Sequence, residues 1–401
     1  MSKVYILHLI NSLWRNKQSN KNGVFIMASN FTFLKEDFPD LENMGVLAEG
    51  YLYSDPNGSM YKMGTLAETL VNHMFDLENI KPSPQDTTQD SRIKTLYSLK
   101  KIPKTINDML HLIRKSRNEA VHAGYDCLEQ SKTLLQMTHT ITVWFIQIYG
   151  NLEFEPNKFV MPEDKRSQPN YDKLLEENQK IYAELEKIQA TLSARKHKRI
   201  DATQRRKNAD RANRNLRLSE RETRYLIDDQ LRKVGWEADS INLRYSKGVR
   251  PENGRNIAIA EWPTDPMVCK WGYVNYAFFA GLKLVGVVEA EMSNKNIALS
   301  LDNQCREYSM GIKDEHMRYV INTWGEYKVP FLFATNGRLY EEQSETNSGV
   351  WFCDVRDTAN APKVLQDWLD PKELVDMLEK DIATTNQRQK SSPRVRLKSW
   401  W

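Results

Sequence analysis

Near residue 219 the apolar pattern of this chain changes its period, and that change constrains the fold more than any other feature. Upstream, apolar and small residues recur three or four apart: Leu41, Gly45, Leu47, Ala48 and Leu52, then Leu66, Ala67, Leu70 and Met74. That spacing lines one face of a 3.6-residue turn, so residues 29–150 read as an all-α bundle. Ser54-Asp55-Pro56-Asn57-Gly58 ends one helix and starts the next. Longer helices are predicted over Ile106–Val121 and Leu128–Ile148. Downstream, Ser219-Glu220-Arg221-Glu222 is a capped helix start, Leu226, Ile227, Leu231 and Val234 form its apolar stripe, and Gly235-Trp236 ends it. Three runs of strand character follow, Ile257–Trp262, Val274–Phe279 and Leu284–Ala290. Then come a helix over Ile297–Met310, strands over Val329–Ala334 and Gly349–Val355, and short helices over Val364–Trp368 and Pro371–Ala383. The expected fold class is multidomain α and α/β: an N-terminal helical bundle, a long basic helix and a C-terminal αβββαβ domain.

Between these two patterns the composition shifts twice. Pro156, Pro162 and Pro169 mark residues 151–170 as a linker. Residues 171–218 then carry Leu174, Ile181, Leu185, Ile188 and Leu192 at near-heptad spacing, a coiled-coil-like seam. Past Leu192 bases take over: Arg195, Lys196, Lys198, Arg199, Arg205, Arg206, Lys207, Arg211, Arg214 and Arg217. Two readings stand side by side, a solvated helical connector and a DNA-binding arm whose cations displace counterions from phosphates. The net charge of +4, with 40% apolar and 27% charged residues, belongs to a soluble globular class. Cys127, Cys269, Cys305 and Cys353 lack zinc-ligand spacing and form no disulfide framework, which fits a reducing cytoplasm. The apolar run Val4–Ile10 is too short to span a membrane and has no small-residue cleavage site, so no membrane partner is expected. Residues 1–28 read as a spurious or disordered extension. Met27 is the expected native start, because codons for Gly23-Val24 can hold a ribosome-binding site.

The chemistry-bearing pattern lies in residues 219–390. Val274–Glu291 reads V-N-Y-A-F-F-A-G-L-K-L-V-G-V-V-E-A-E, which is similar to the hairpin of PD-(D/E)XK nucleases, where an Asp opens one strand and E-x-K closes the next. In that family the carboxylates hold Mg²⁺, which polarises the scissile phosphate and activates water, and the lysine orients that water. Gln304 and Tyr308 supply the Q-x3-Y element found in nucleases coupled to helicases. The metal-binding Asp falls here on Asn275 and the lysine on Glu291, while Glu289 keeps its expected identity as the metal ligand. The implied catalytic set is therefore Glu289, Asn275, Glu291, Gln304 and Tyr308, with Glu222 as a further candidate. A site so altered implies Mg²⁺ binding that is weak or lost.

Wider segments sharpen the resemblance. Gly235-Trp236-Glu237-Ala238-Asp239, Leu243-Arg244-Tyr245-Ser246-Lys247-Gly248, Ile257–Pro263, Val329–Gly337 and Gly349-Val350-Trp351-Phe352 look like the nuclease domain of type I restriction enzyme R subunits. Asn30–Leu34, Ala48-Glu49 and Ser54–Asn57 look like the helical domain preceding it, so the resemblance spans roughly Ser29–Lys390. It implies a restriction-endonuclease-like domain that cleaves DNA for phage defence, with methylation (M) and specificity (S) subunits as partners. ATP would enter only through the family's motor domain: the sequence holds no G-x4-G-K-[ST] loop, and its tail, 391–401, reads as a truncated frame. One further motif belongs to another class. Arg117-Asn118-Glu119-Ala120-Val121-His122 matches R-N-x3-H, the ribonuclease motif of HEPN-type helical domains, in which Arg117, Asn118 and His122 would act on RNA. The R-subunit helical domain shares that fold and usually shows Gly at Arg117. The plainer reading has Asn118 and His122 pinning the turn before Gly124.

Overall fold

The computed structural model describes residues 29–82, 87–123, 127–150, 154, 158–164, 166, 201–291, 297–338, 348–357 and 359–380. Most of the residues 171–218, including the heptad-like seam and Arg195, Lys196, Lys198 and Arg199, lie outside them.

The first half is helical: α1 (Pro39–Tyr51), α2 (Pro56–Leu77), α3 (Gln89–Ser98), α4 (Lys104–Ala123) and α5 (Leu128–Tyr149). Asp55 caps α2 by accepting from the Gly58 amide at 2.8 Å, with Pro56 in the first turn, where a missing N–H costs nothing. The apolar faces meet in one core around Phe38, Leu70, Met109, Ile141 and Phe145. Helix α6 (Ala202–Asn215) joins this core through Ala209 and Ala212, and Leu216 and Leu218 follow it in. The described part of the basic segment is thus a packed element of the bundle rather than a connector with solvent all round.

Helix α7 (Glu220–Lys233) opens the second half with the expected capping box, Ser219 and Glu222 each satisfying the other's backbone amide. A seven-stranded sheet follows, with strands in sequence order: β1 (Glu237–Ala238), β2 (Asn256–Pro263), β3 (Tyr273–Ala280), β4 (Lys283–Ala290), β5 (Phe331–Thr335), β6 (Val350–Asp354) and β7 (Lys363–Leu365). The β1–β2 and β4–β5 pairs are parallel and the others antiparallel. The parallel β4–β5 pair requires a crossover, which is supplied by α8 (Ile297–Ser300), a π turn (Leu301–Cys305) and α9 (Arg306–Met310). Both faces are covered, so the inner strands are continuously apolar. The crossover packs with Ile259, Val287 and Leu332 on one face; α7 and α10 (Pro371–Glu379) pack with Phe278, Phe333 and Phe352 on the other. Gly286 allows that packing, since a Cβ there would sit 3.2 Å from the Phe333 ring.

The sequence reading fails at Val364–Trp368. The segment expected as a short helix begins as strand β7, whose Val364 and Leu365 pair with Trp351 and Val350. An apolar pair this short carries no period, and the open edge of β6 decides its conformation.

Candidate functional site

Three sequence-predicted residues meet where β3 begins and β4 ends. Asn275, on β3, is 7% exposed; Glu289, on β4, is 7% exposed; Glu291, just past β4, is 3% exposed. Strand alternation puts Glu289 and Glu291 on the face that the crossover covers. There Tyr308 of α9 donates to Glu289 Oε2 at 2.7 Å, and Ser300 of α8 donates to Glu291 Oε1 at 2.5 Å. Asn275 turns its Oδ1 to the Ala290 amide, 2.8 Å away. The Glu291 amide in turn donates to the Thr335 carbonyl at 2.7 Å, tying the end of β4 to the end of β5. Gln304 is buried on the π turn. Burial drives the Tyr308 hydroxyl well above its ordinary pKa, and the Glu289 carboxylate pushes it further, so it stays a donor. Cys305, behind the two glutamates, is fully buried and its thiol is likewise pushed well above the ordinary range by burial and by Glu289. Its Sγ donates to the Phe333 carbonyl at 3.1 Å, which marks a packing thiol rather than a nucleophile.

This donor set does not fit a Mg²⁺ site. Mg²⁺ takes oxygen ligands in near-octahedral geometry. Here the amide oxygen of Asn275 is spent on backbone, and each glutamate already accepts from a hydroxyl. Among the described residues no group of three or more His, Cys, Asp or Glu is placed to hold a metal ion.

Glu222 serves another purpose. One carboxylate oxygen completes the capping box with Ser219 and the other accepts from Thr140 of α5 at 2.6 Å, so it clasps the sheet unit to the bundle. Of the ribonuclease motif, Asn118 is exposed, while Arg117 pairs with Glu68 at 2.7 Å, covers the Tyr61 ring and packs on Gly64. The His122 side chain lies outside the described residues. In the basic segment Arg205 is not offered to a ligand. It is clamped by Glu78, by the Tyr149 hydroxyl and by the Lys101 carbonyl. Arg206 and Lys207 are exposed.

Ser300 had no signal in the sequence: a serine nine residues past Glu291, beyond a loop, fits no spacing rule. A second residue unmarked by any motif is Glu261 of β2, which adopts φ +55° inside a strand while its carboxylate takes Arg224 at 3.0 Å and Arg244 at 2.9 Å. A positive φ at a non-glycine residue in a strand is costly and persists only where its surroundings enforce it.

Comparison with known proteins adds the context. Residues 237–378, which span the sheet and α10, match the family model described as the second domain of the type I restriction enzyme EcoKI endonuclease subunit. Over an alignment of 432 residues the chain is 30% identical to the type I restriction enzyme EcoKI endonuclease subunit of Escherichia coli strain K12. That alignment takes in 90% of this chain and 37% of the relative, so the chain spans little more than a third of the length of the protein it matches. No solved structure matches. Among the described residues no helix is long and apolar enough to cross a membrane. The two matches, one over the sheet and one over nearly the whole chain, place this protein in the type I restriction R-subunit family, as an N-terminal region of such a subunit.

Proposed function

We propose that this chain is the DNA-cleavage module of a type I restriction R subunit whose catalytic edge has been altered to the point of inactivity. One observation carries the reading: Asn275, Glu289, Glu291 and Tyr308 converge at the edge where a PD-(D/E)XK nuclease does its chemistry, yet the positions that should bring a metal-binding charge and a cation bring an amide and a second carboxylate. Glu291 adds negative charge where a phosphate would sit. Losing one such electrostatic group commonly costs about 10²–10³ in rate. In this reading Mg²⁺ binding is weak or lost, ATP is used only through a motor domain, and DNA, M and S subunits are the partners in a cytoplasmic defence complex. The HEPN-type ribonuclease draws no support from Arg117, which is already engaged with Glu68 and Tyr61.

The test is nicking of supercoiled plasmid in Mg²⁺ or Mn²⁺ by the wild-type chain, Asn275→Asp, Glu291→Lys and the double variant, each alone and joined to an active motor region of the kind the R-subunit family implies. The wild type is expected at background. Restored cutting is expected only in the double variant, because groups acting on one transition state are not additive. Melting curves come first, since Glu291 is a buried position and a lysine there must find Glu289 or unfold the edge. Robust cutting by the wild-type chain that Glu289→Ala abolishes would overturn the inactive reading.

A further inference from the structure

Of the ten large hydrophobic side chains that are exposed among the described residues, four fall within the seven residues 267–273. Met267 is 91% exposed, and Val268, Trp271 and Tyr273 are each a little under half exposed. They stand on the turn between β2 and β3. We propose that this turn is a DNA-contacting knob, which sets Met267 and Trp271 against bases beside the catalytic edge; it rests on the DNA reading above.

The turn is built to hold its shape. The Met267 amide donates to Asp265 Oδ1 at 2.9 Å, and the amides of Val268 and Cys269 donate to the Asp265 carbonyl at 3.1 and 2.8 Å. Thr264 and Gly272 close the neck at 3.0 Å. Cys269 is fully buried and anchors the turn in the sheet core. Thus the apolar tips are displayed by a rigid frame, and the burial that hydrophobic side chains gain by folding is forgone at these positions.

Its place is equally specific. Tyr273 lies two residues before Asn275, about 7 Å along the strand. On its other side the Asp265 amide donates to the Gly311 carbonyl at 2.7 Å, directly after α9, the helix that brings Tyr308 to Glu289. A Cβ at Gly311 would sit 3.1 Å from Cys269 Cβ, so turn and helix are in contact. The turn thus stands two residues from Asn275 on one side and against the end of α9 on the other.

The chemistry favours nucleic acid. Lys270 Nζ lies 5.1 Å from the centre of the Trp271 ring, which sets a phosphate-seeking cation beside a stacking surface. Cations interleaved with aromatic side chains are how sequence-tolerant DNA contacts are made, and apolar wedges such as Met open base steps. A single turn is small against the roughly 20–30 residues per side of a stable protein interface.

The experiment measures binding of the full chain to a fluorescently labelled 30-base-pair duplex, to the same sequence as single-stranded DNA, and to its RNA counterpart, across a salt series. Wild type, Met267→Ser, Trp271→Ala and the double variant are compared. We expect the double variant to lose roughly tenfold or more in affinity for one or both DNA forms. Its salt slope should stay unchanged, because stacking and insertion release no counterions. Its melting temperature should match the wild type, because the side chains are exposed. Unchanged affinity in the double variant while the wild type binds DNA would overturn the knob and leave the DNA reading standing. Absence of any DNA binding by the wild type would overturn both. Tighter binding of RNA than of DNA, or a dimer in sedimentation that the variants abolish, would overturn the knob by giving it another partner.

Discussion

The helical unit and the sheet unit both bury acids; the bundle meets them with basic side chains from distant parts of the chain, while the sheet unit uses a local pair, Arg356 with Asp354 at 2.7 Å, and hydroxyls. In the bundle two acids with buried side chains are met by basic side chains from elsewhere in the chain. Asp40 of α1 meets His73 of α2 at 2.6 Å, and Glu78 gathers Lys101, Arg205 and the Tyr149 hydroxyl from three further places in the chain. At the end of β4, Glu289 accepts from the Tyr308 hydroxyl and Glu291 from that of Ser300. Asp228, under the same sheet, also takes hydroxyls, from Ser240 and Tyr276. An ion pair fixes two elements and resists exchange, because removing one partner strands the other. A hydroxyl is a neutral donor that rotates and can be replaced by ligand or water.

The sharpest way to break this comparison is to cut one of the bundle's ion pairs. Burial pushes the Glu78 carboxyl up, but Lys101, Tyr149 and Arg205 outweigh that and hold it below the ordinary carboxylate range. Arg205→Gln leaves Glu78 short of a partner in a pocket where its side chain is 7% exposed. The expected loss is roughly 3 kcal/mol of unfolding free energy, in the range seen when one member of a buried pair is removed. Urea unfolding checks it. A loss below about 0.5 kcal/mol would make Arg205 a surface cation after all.

The next test turns on pH, where the two units should respond in opposite directions. His139 of α5 packs among Phe31, Phe33 and Phe159, and burial alone pulls its pKa down to about 4. The unfolded imidazole titrates near 6.5. The neutral ring therefore stabilises the fold fully above about 6.5, and that contribution is lost as pH falls towards 4. Across that window His139→Phe should gain as much as about 3 kcal/mol relative to wild type. Asp228 has the opposite sign. Burial lifts it from 3.8 to about 6 against the hydrogen bonds of Ser240 and Tyr276, so its contribution is complete below 3.8 and lost as pH rises through 6. Asp228→Asn should gain on wild type over that rise, by a similar order. Unfolding free energies of wild type and each variant between pH 4 and 7.5 test both, and parallel curves would refute the assignments.

The same contrast explains what was legible in the sequence. Helices α4 and α5 were readable to within two residues at each end because their apolar stripes are long and face one core. Helix α3 escaped because only Ile93 and Leu96 of its ten residues are buried. The hairpin bearing Asn275 and Glu289 was readable because two apolar runs of strand length flank Gly281 and carry their polar residues near the ends. The crossover was read as one helix over Ile297–Met310, but the chain winds a π turn at Leu301–Cys305, which single-residue propensities do not encode. Ser300 and the knob at Met267 arise from where the crossover lands, and Arg205 looked like its neighbours because sequence shows charge and not which side of a helix is covered.

That last point yields the prediction with the smallest effect on stability. At 3.6 residues per turn successive side chains of α6 are about 100° apart. The buried Asn208, Ala209 and Ala212, with Arg205, share one side; Arg206, Lys207, Arg211 and Arg214 fall within an arc of about 140° on the other, and all four are exposed. Asp210, also exposed, lies inside that arc and weakens its field. If this face contacts phosphates, changing the four bases to Gln should leave urea unfolding within about 0.5 kcal/mol of wild type. The slope of log affinity against log salt for duplex DNA should flatten by about two to four, since each phosphate contact contributes about 0.9. Asp210→Asn should strengthen binding modestly, because it removes the one acid in the arc. Arg205→Gln should do the reverse of the quadruple variant, costing stability and leaving the slope alone. An unchanged slope in the quadruple variant would return α6 to a packing helix with a solvated face.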